Sequence, residues 1–107
     1  MRHRLVFHDE AARELNDLYD YIAQRANPDI AWHYVQAIRL FLEELSDFPE
    51  RGTVRTSPIA GLRIIGFRRR LGIAFIVRDE NLIVLGIFHA GRNMRRRVLA
   101  ERARSME

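Results

Sequence analysis

Arg63, Arg78, His89, Arg92 and Asn93 punctuate the most apolar part of this chain and carry the chemistry that an anionic partner would meet. Arginine offers a permanent, forked cation that pairs with carboxylates and phosphates through two hydrogen bonds. Histidine adds a group that exchanges protons near neutral pH. Cutting a phosphodiester without a metal needs a base for the 2′-hydroxyl, an acid for the leaving group and cations for the developing charge. Arg63, Arg78, His89 and Arg92 supply cations and one titratable group. A second acid or base is missing, because Ala90 follows His89 and no tyrosine occurs after Tyr34. A strand-end histidine making a structural hydrogen bond explains His89 equally well. Metal ligation has less support: there is no cysteine, and His3, His8, His33 and His89 show no local ligand spacing. His3 and His8 are five apart in an expected strand, hence on opposite faces.

The net charge of +4 conceals an asymmetry. Residues 1–60 hold 7 Arg against 10 Asp and Glu, whereas residues 61–107 hold 11 Arg against 4 acids, with no Lys anywhere. A coding bias that replaces Lys by Arg on solvated faces explains the all-arginine usage. It does not explain the concentration in one half, which suits an anionic partner. At 107 residues the chain fits one domain, 1–107, with 93–107 as a basic C-terminal arm. The absence of cysteine suits a reducing cytoplasm, and no apolar run approaches the ~20 residues of a membrane span. A soluble, cytoplasmic protein without a membrane partner is expected.

The elements that must position these residues can be read from periodicity. His3 to His8 predicts a first strand. Asp9 offers an N-cap, and Ala11, Leu15, Leu18, Tyr19 and Ile22 recur at helical spacing to a helix end near Arg25 or Ala26. Asn27-Pro28-Asp29 combines a cap, a residue preset for the first helical position and an acid in the first turn, so a second helix starts almost at once, antiparallel to the first. Its stripe is Ala31, Val35, Ile38, Leu42 and Leu45, flanked by Tyr34, Phe41 and Phe48, and Pro49 stops it. Trp32 is expected to be buried against the hairpin or the sheet. Residues 49–61 read as an irregular connection. Three apolar segments, 62–67, 71–77 and 82–88, separated by Arg68-Arg69-Arg70 and Asp79-Glu80-Asn81, predict an antiparallel meander. Arg63 shares a face with Ile65 and Phe67. The arginine turn reads as solvated, and the apolar content after Arg92 is thin for a docked helix.

Two binding roles compete with an enzyme. Clustered arginine gives phosphate affinity without sequence information, and no zinc-finger or RRM signature adds specificity. A two-helix layer on a sheet with a positive end also suits an acidic partner segment laid along a groove or sheet edge.

The β-α-α-β-β-β order, the helix hairpin broken at Asn27-Pro28, the Phe48-Pro49-Glu50-Arg51-Gly52 end of the second helix, the Leu62-Arg63-Ile64 strand and the closing His89-Ala90-Gly91-Arg92-Asn93 together resemble the ParE branch of the RelE/ParE toxin superfamily. The resemblance spans nearly the whole chain. It implies an α+β fold, with an antiparallel sheet packed against an N-terminal helix hairpin and a basic C-terminal tail or short helix. It also implies a type II toxin neutralised by the acidic C-terminal segment of a ParD-like antitoxin, in systems tied to plasmid stabilization and growth arrest. ParE-like toxins poison DNA gyrase, whereas RelE-like toxins cleave mRNA on the ribosome with Arg, Lys, Tyr, His or Glu side chains. Arg63 and Arg78 match strand arginines of the nuclease branch and His89 lies near its C-terminal catalytic position. The lysines are absent, and Ala90 stands where some members carry tyrosine.

The resulting expectation is a non-enzymatic, cofactor-free gyrase inhibitor. An mRNA endonuclease using Arg63, Arg78 and His89, and a non-toxic adaptor of the same fold, are the alternatives. Arg63, Arg78, His89, Arg92, Asn93, Arg95 and Arg96 are the expected target-binding residues. Leu18, Tyr19, Ile22, Trp32, Arg63 and Arg78 are expected to meet the antitoxin. Neither a metal nor sequence-specific nucleic-acid binding by the chain itself is expected.

Overall fold

A computed structural model of the chain describes residues 3–50, 53–55 and 59–89 together with 95–107, with side chains at all of these except 53–55. In order the elements are β1 (Arg4–Phe7), α1 (Asp9–Arg25), α2 (Pro28–Asp47), β2 (Thr53–Arg55), β3 (Leu62–Phe67), β4 (Leu71–Arg78), β5 (Asn81–His89) and α3 (Arg96–Ser105). Helix α1 begins one residue earlier than Asp9 would allow as a cap. His8 is the N-cap, its Nδ1 accepting the Glu10 N–H at 3.0 Å, and Asp9 becomes the first helical residue. The strand has ended at Phe7, so His3 and His8 do not share it. Asn27 caps α2 as expected, its side-chain oxygen accepting the Ile30 N–H at 2.9 Å with Pro28 as the next residue.

The strands form one five-stranded sheet in the order β1-β5-β4-β3-β2. The sheet is mixed rather than antiparallel, because β1 lies parallel to β5, Arg4 opposite Asn81 and Phe7 opposite Val84. The helix hairpin carries the chain from β1 to the far edge, and the meander then walks back to it. The stretch read as irregular holds the short edge strand β2, paired with β3 from Thr53 opposite Ile64 to Arg55 opposite Leu62. Three residues are too few for an alternation pattern to show.

Two apolar layers enclose the sheet. Ala11, Leu15, Leu18, Ile38, Leu42 and Leu45 of the hairpin pack on Phe67, Ile73, Phe75, Leu82 and Val84. On the opposite face Leu99 and Ala103 of α3 pack on Ile59, Leu62, Ala74, Ile76, Ile83 and Leu85. Trp32 does not join either layer and is 55% exposed. The phase of α2 is set by Ala31, Ile38, Leu42 and Leu45, and a residue one step after Ala31 is turned about 100° away from that stripe. Phe48, at the C-cap, is likewise exposed.

The C-terminal segment is a docked helix, and polar clamps make up for its thin apolar face. Beyond Val84 the β5 edge outlasts β1, so among the described residues its backbone groups have no strand partner there. Arg102 donates to the Leu85 carbonyl at 2.9 Å, and Glu14 accepts the Ile87 N–H at 3.0 Å. The two side chains join through a forked pair, Nη1 to Oε1 at 2.9 Å and Nη2 to Oε2 at 3.1 Å. Arg78 donates to the Ala103 carbonyl at 2.7 Å near the helix end. His8, whose Nδ1 is occupied as an acceptor, donates from Nε2 to Ser105 Oγ at 2.8 Å.

A bulge in β5 completes the frame. Ala74 faces Gly86 and Phe75 faces Val84, which leaves Leu85 as the extra residue. Before the bulge Leu82 and Val84 face the hairpin; after it Ile87 does. The one-residue slip carries His89 onto the hairpin side as well.

Glu14 and Arg102 are mostly buried, at 23% and 13% side-chain exposure, so breaking the pair strands a charge and a sheet N–H. Glu14→Ala is expected to cost about 2–4 kcal/mol in urea unfolding. Glu14→Gln, which keeps an oxygen for the Ile87 N–H, is expected to cost less. A loss below about 0.5 kcal/mol for the alanine variant would show the pair to be no better than a surface contact.

Candidate functional site

The Arg68-Arg69-Arg70 turn closes β3 on β4 with an Arg70 N–H to Phe67 carbonyl bond of 3.1 Å. So tight a turn needs left-handed backbone, and Arg68 and Arg69 adopt φ values of 50° and 59°. Glycine or asparagine usually holds such positions; arginine there stores strain. The Arg68 guanidinium lies 5.1 Å from the Phe67 ring centre and 5.7 Å from that of Tyr34. This folds Arg68 onto the aromatic end of α2, where Tyr34 and Phe41 meet Phe67 edge-on at 5.8 and 5.1 Å. Arg69 and Arg70 turn to a groove of about 640 Å³ between the helix hairpin and this end of the sheet.

The groove has two kinds of wall. Leu18, Ile22, Ile30 and Leu71 give an apolar floor, while Arg25, Arg69, Arg70 and His89 give a basic rim. Tyr21, 47% exposed, stands between them. Its ring meets His89 edge-on at 5.9 Å between centres, and the Arg25 guanidinium sits 4.6 Å above it. A smaller pocket of about 270 Å³ continues the groove past His89 toward Glu14 and Asp17. At the other end of β4 a larger groove, about 1040 Å³, is lined by Glu43, Asp79 and Glu80 with His3 and Arg4. The two ends of β4 are thus oppositely charged. The basic one joins guanidinium, imidazole and phenol groups, the set able to hold an anion carrying rings.

The residues expected from sequence are dispersed. Arg63, opposite Phe75, lies on the hairpin side and donates to the Glu50 carbonyl at 3.2 Å. Arg78 lies under α3, held by Ala103, with Glu107 at 3.9 Å. His89 lies opposite Leu71, so β4 separates it from the level of Arg63 by about 13 Å and from that of Arg78 by about 23 Å along the strand. The structure therefore does not assemble Arg63, Arg78 and His89 into one catalytic cluster. Arg95 and Arg96 are exposed at the start of α3, where the N-cap Arg95 makes no side-chain capping bond. Arg92 and Asn93 lie outside the described residues. Leu18 and Ile22 line the groove, Tyr19 is half-buried outside it, and Trp32 faces solvent.

Sequence reading missed Tyr21, Arg25, Tyr34, Arg69 and Arg70 as site residues. The signal lay in three arginines filling a turn that ordinarily takes glycine or asparagine. Among the described residues no group of three or more His, Asp or Glu is placed to hold a metal ion, and no helix is long and apolar enough to cross a membrane.

The family described as ParE toxin of type II toxin-antitoxin system, parDE, matches residues 5–94. Several solved structures are similar in fold. A chain of the chromosomal ParDE system from P. aeruginosa superposes with a TM-score of 0.71 at 24% identity, covering 83% of this chain and 97% of that one. An E. coli toxin RelE mutant in the free state gives 0.66 at 15% identity, covering all of both chains. A chain of the toxin-antitoxin complex RelBE2 from Mycobacterium tuberculosis gives 0.61 at 22% identity, covering 83% and 99%. No curated protein matches the sequence significantly.

Burial holds the Tyr34 phenol above its ordinary value of 10.0, and the charges of Arg68 and Arg70 pull it part of the way back. The folded state thus favours the neutral phenol. Its stabilising contribution is complete below pH 10 and is lost as pH rises through the folded value. In a tyrosinate absorbance titration one phenol should ionise above pH 10, and Tyr34→Phe should remove that phase. Arg70→Ala should move it higher still; a downward shift would contradict the assignment.

Proposed function

The chain belongs to the ParE family of toxins of type II toxin-antitoxin systems, and from that premise we propose that it acts in the cytoplasm by binding DNA gyrase and cuts no nucleic acid itself. The family match supports the gyrase reading, and the observation that favours binding over cleavage is the dispersal of Arg63, Arg78 and His89, the residues that match the nuclease branch. Metal-free cleavage needs its acid, base and cations within hydrogen-bonding reach of one phosphate. Arg63 is bound to Glu50 just past α2, Arg78 is bound to α3 on the other face, and His89 stands at the opposite end of β4 from Arg78. What the chain offers instead is a rigid basic end suited to recognition, with Arg69, Arg70 and His89 on the sheet and Arg25 on α1.

The same charge distribution supports neutralisation by an acidic ParD-like antitoxin. A partner segment rich in carboxylates gains from the arginine forks and blocks the surface turned toward the target. Arg25, Arg69 and Arg70 gather at one groove, so charge complementarity raises the association rate as well as the affinity.

Purified protein is expected to block gyrase supercoiling of a relaxed plasmid and to accumulate cleaved DNA on the enzyme, while ribosome-bound mRNA stays intact. A neutralising antitoxin should restore supercoiling. Codon-specific cuts in the mRNA, lost in His89→Ala, would replace this reading by that of a ribosome-dependent endonuclease.

A further inference from the structure

We propose that the groove between the helix hairpin and the β3–β4 turn binds single-stranded nucleic acid, through its backbone and one stacked base. Three cations point to this independently of any gyrase contact. Arg25, Arg69 and Arg70 border one groove, and none of them forms an ion pair with a described residue. Arg69 is held by a left-handed backbone that an L-residue adopts at a cost. Arg69 and Arg70 are adjacent and exposed, so the turn sets two guanidinium forks side by side at the groove, where neighbouring phosphates of one strand can pair with both.

The aromatic groups select bases over other anions. Tyr21 is half exposed, is backed by the Arg25 guanidinium at 4.6 Å and is braced edge-on by His89 at 5.9 Å. A phenol so held offers a π-surface to an unstacked base. An acidic peptide would satisfy the arginines but make no use of this ring assembly. The apolar floor of Leu18, Ile22, Ile30 and Leu71 carries no donors or acceptors for base edges, so it selects no sequence. A duplex keeps its bases stacked inside and cannot offer one to Tyr21. Nearby carboxylates do not cancel the site: Glu14 is neutralised by Arg102, and Asp17 borders the adjoining pocket rather than the arginine rim.

The test is fluorescence anisotropy of the full chain with labelled oligothymidine and oligouridine of about 12 nucleotides. Both strands are expected to bind, and a duplex of the same length markedly less. Neutralising three phosphates gives a slope of about −2 for log affinity against log salt. Arg69→Gly removes a cation while relaxing the turn, so its loss of binding cannot come from misfolding. It is expected to weaken binding several-fold and to reduce the slope to about −1.4. Tyr21→Ala is expected to weaken binding about tenfold with the slope unchanged. Equal affinity for the duplex, indifference to both substitutions, or tighter binding of a polyglutamate of equal charge would each overturn the proposal. Gyrase supercoiling measured on the same variants keeps the two readings apart, since strand binding requires no gyrase.

Discussion

The fold depends on how the unpaired end of β5 is satisfied. β1 is too short to cover β5, and a central strand with bare backbone groups would be costly to bury. Glu14 from α1 and Arg102 from α3 fill the gap together, one accepting from Ile87 and the other donating to Leu85, while pairing with each other. One forked pair thus substitutes for a missing stretch of strand and ties the two helical layers across the sheet edge. Its strength comes from being fully engaged, because a buried charge is tolerated only when its hydrogen bonds are met.

That junction also supports the bulge at Leu85, and the bulge sets the phase of the residues from Gly86 to His89. Without it, His89 would share the face of Leu85, away from Tyr21. With it, the end of β5 turns toward the hairpin and joins the arginine turn and Arg25 around one groove. Strain concentrates at the same end, in the left-handed Arg68 and Arg69. The rigid five-stranded sheet supports that strain, as a floppy loop would not.

Charge is polarised along β4, not merely between the halves of the chain. The basic end takes Arg25 from the acidic N-terminal half, and the acidic end takes Asp79 and Glu80 from the basic C-terminal half. A linear count of arginines locates a tendency but misplaces the surface. Arg78 shows why: by sequence it is one more strand arginine, yet it is committed to the end of α3.

The sequence by itself determined what rests on local periodicity and capping. Ala11, Leu15 and Leu18, then Ala31, Ile38, Leu42 and Leu45, announce two amphipathic helices, Asn27-Pro28 starts the second, and the three apolar runs after Gly61 announce the meander. The motifs along that order also sufficed to suggest the family. Only the tertiary structure decided the parallel β1–β5 pairing, the exposure of Trp32, the docking of α3 and the meeting of Tyr21 with His89. Each of these depends on partners distant in the chain, and α3 depends on hydrogen bonds that leave no hydrophobic period. The candidate site belongs to this second class, because a one-residue bulge, invisible in composition, determines which face its histidine joins.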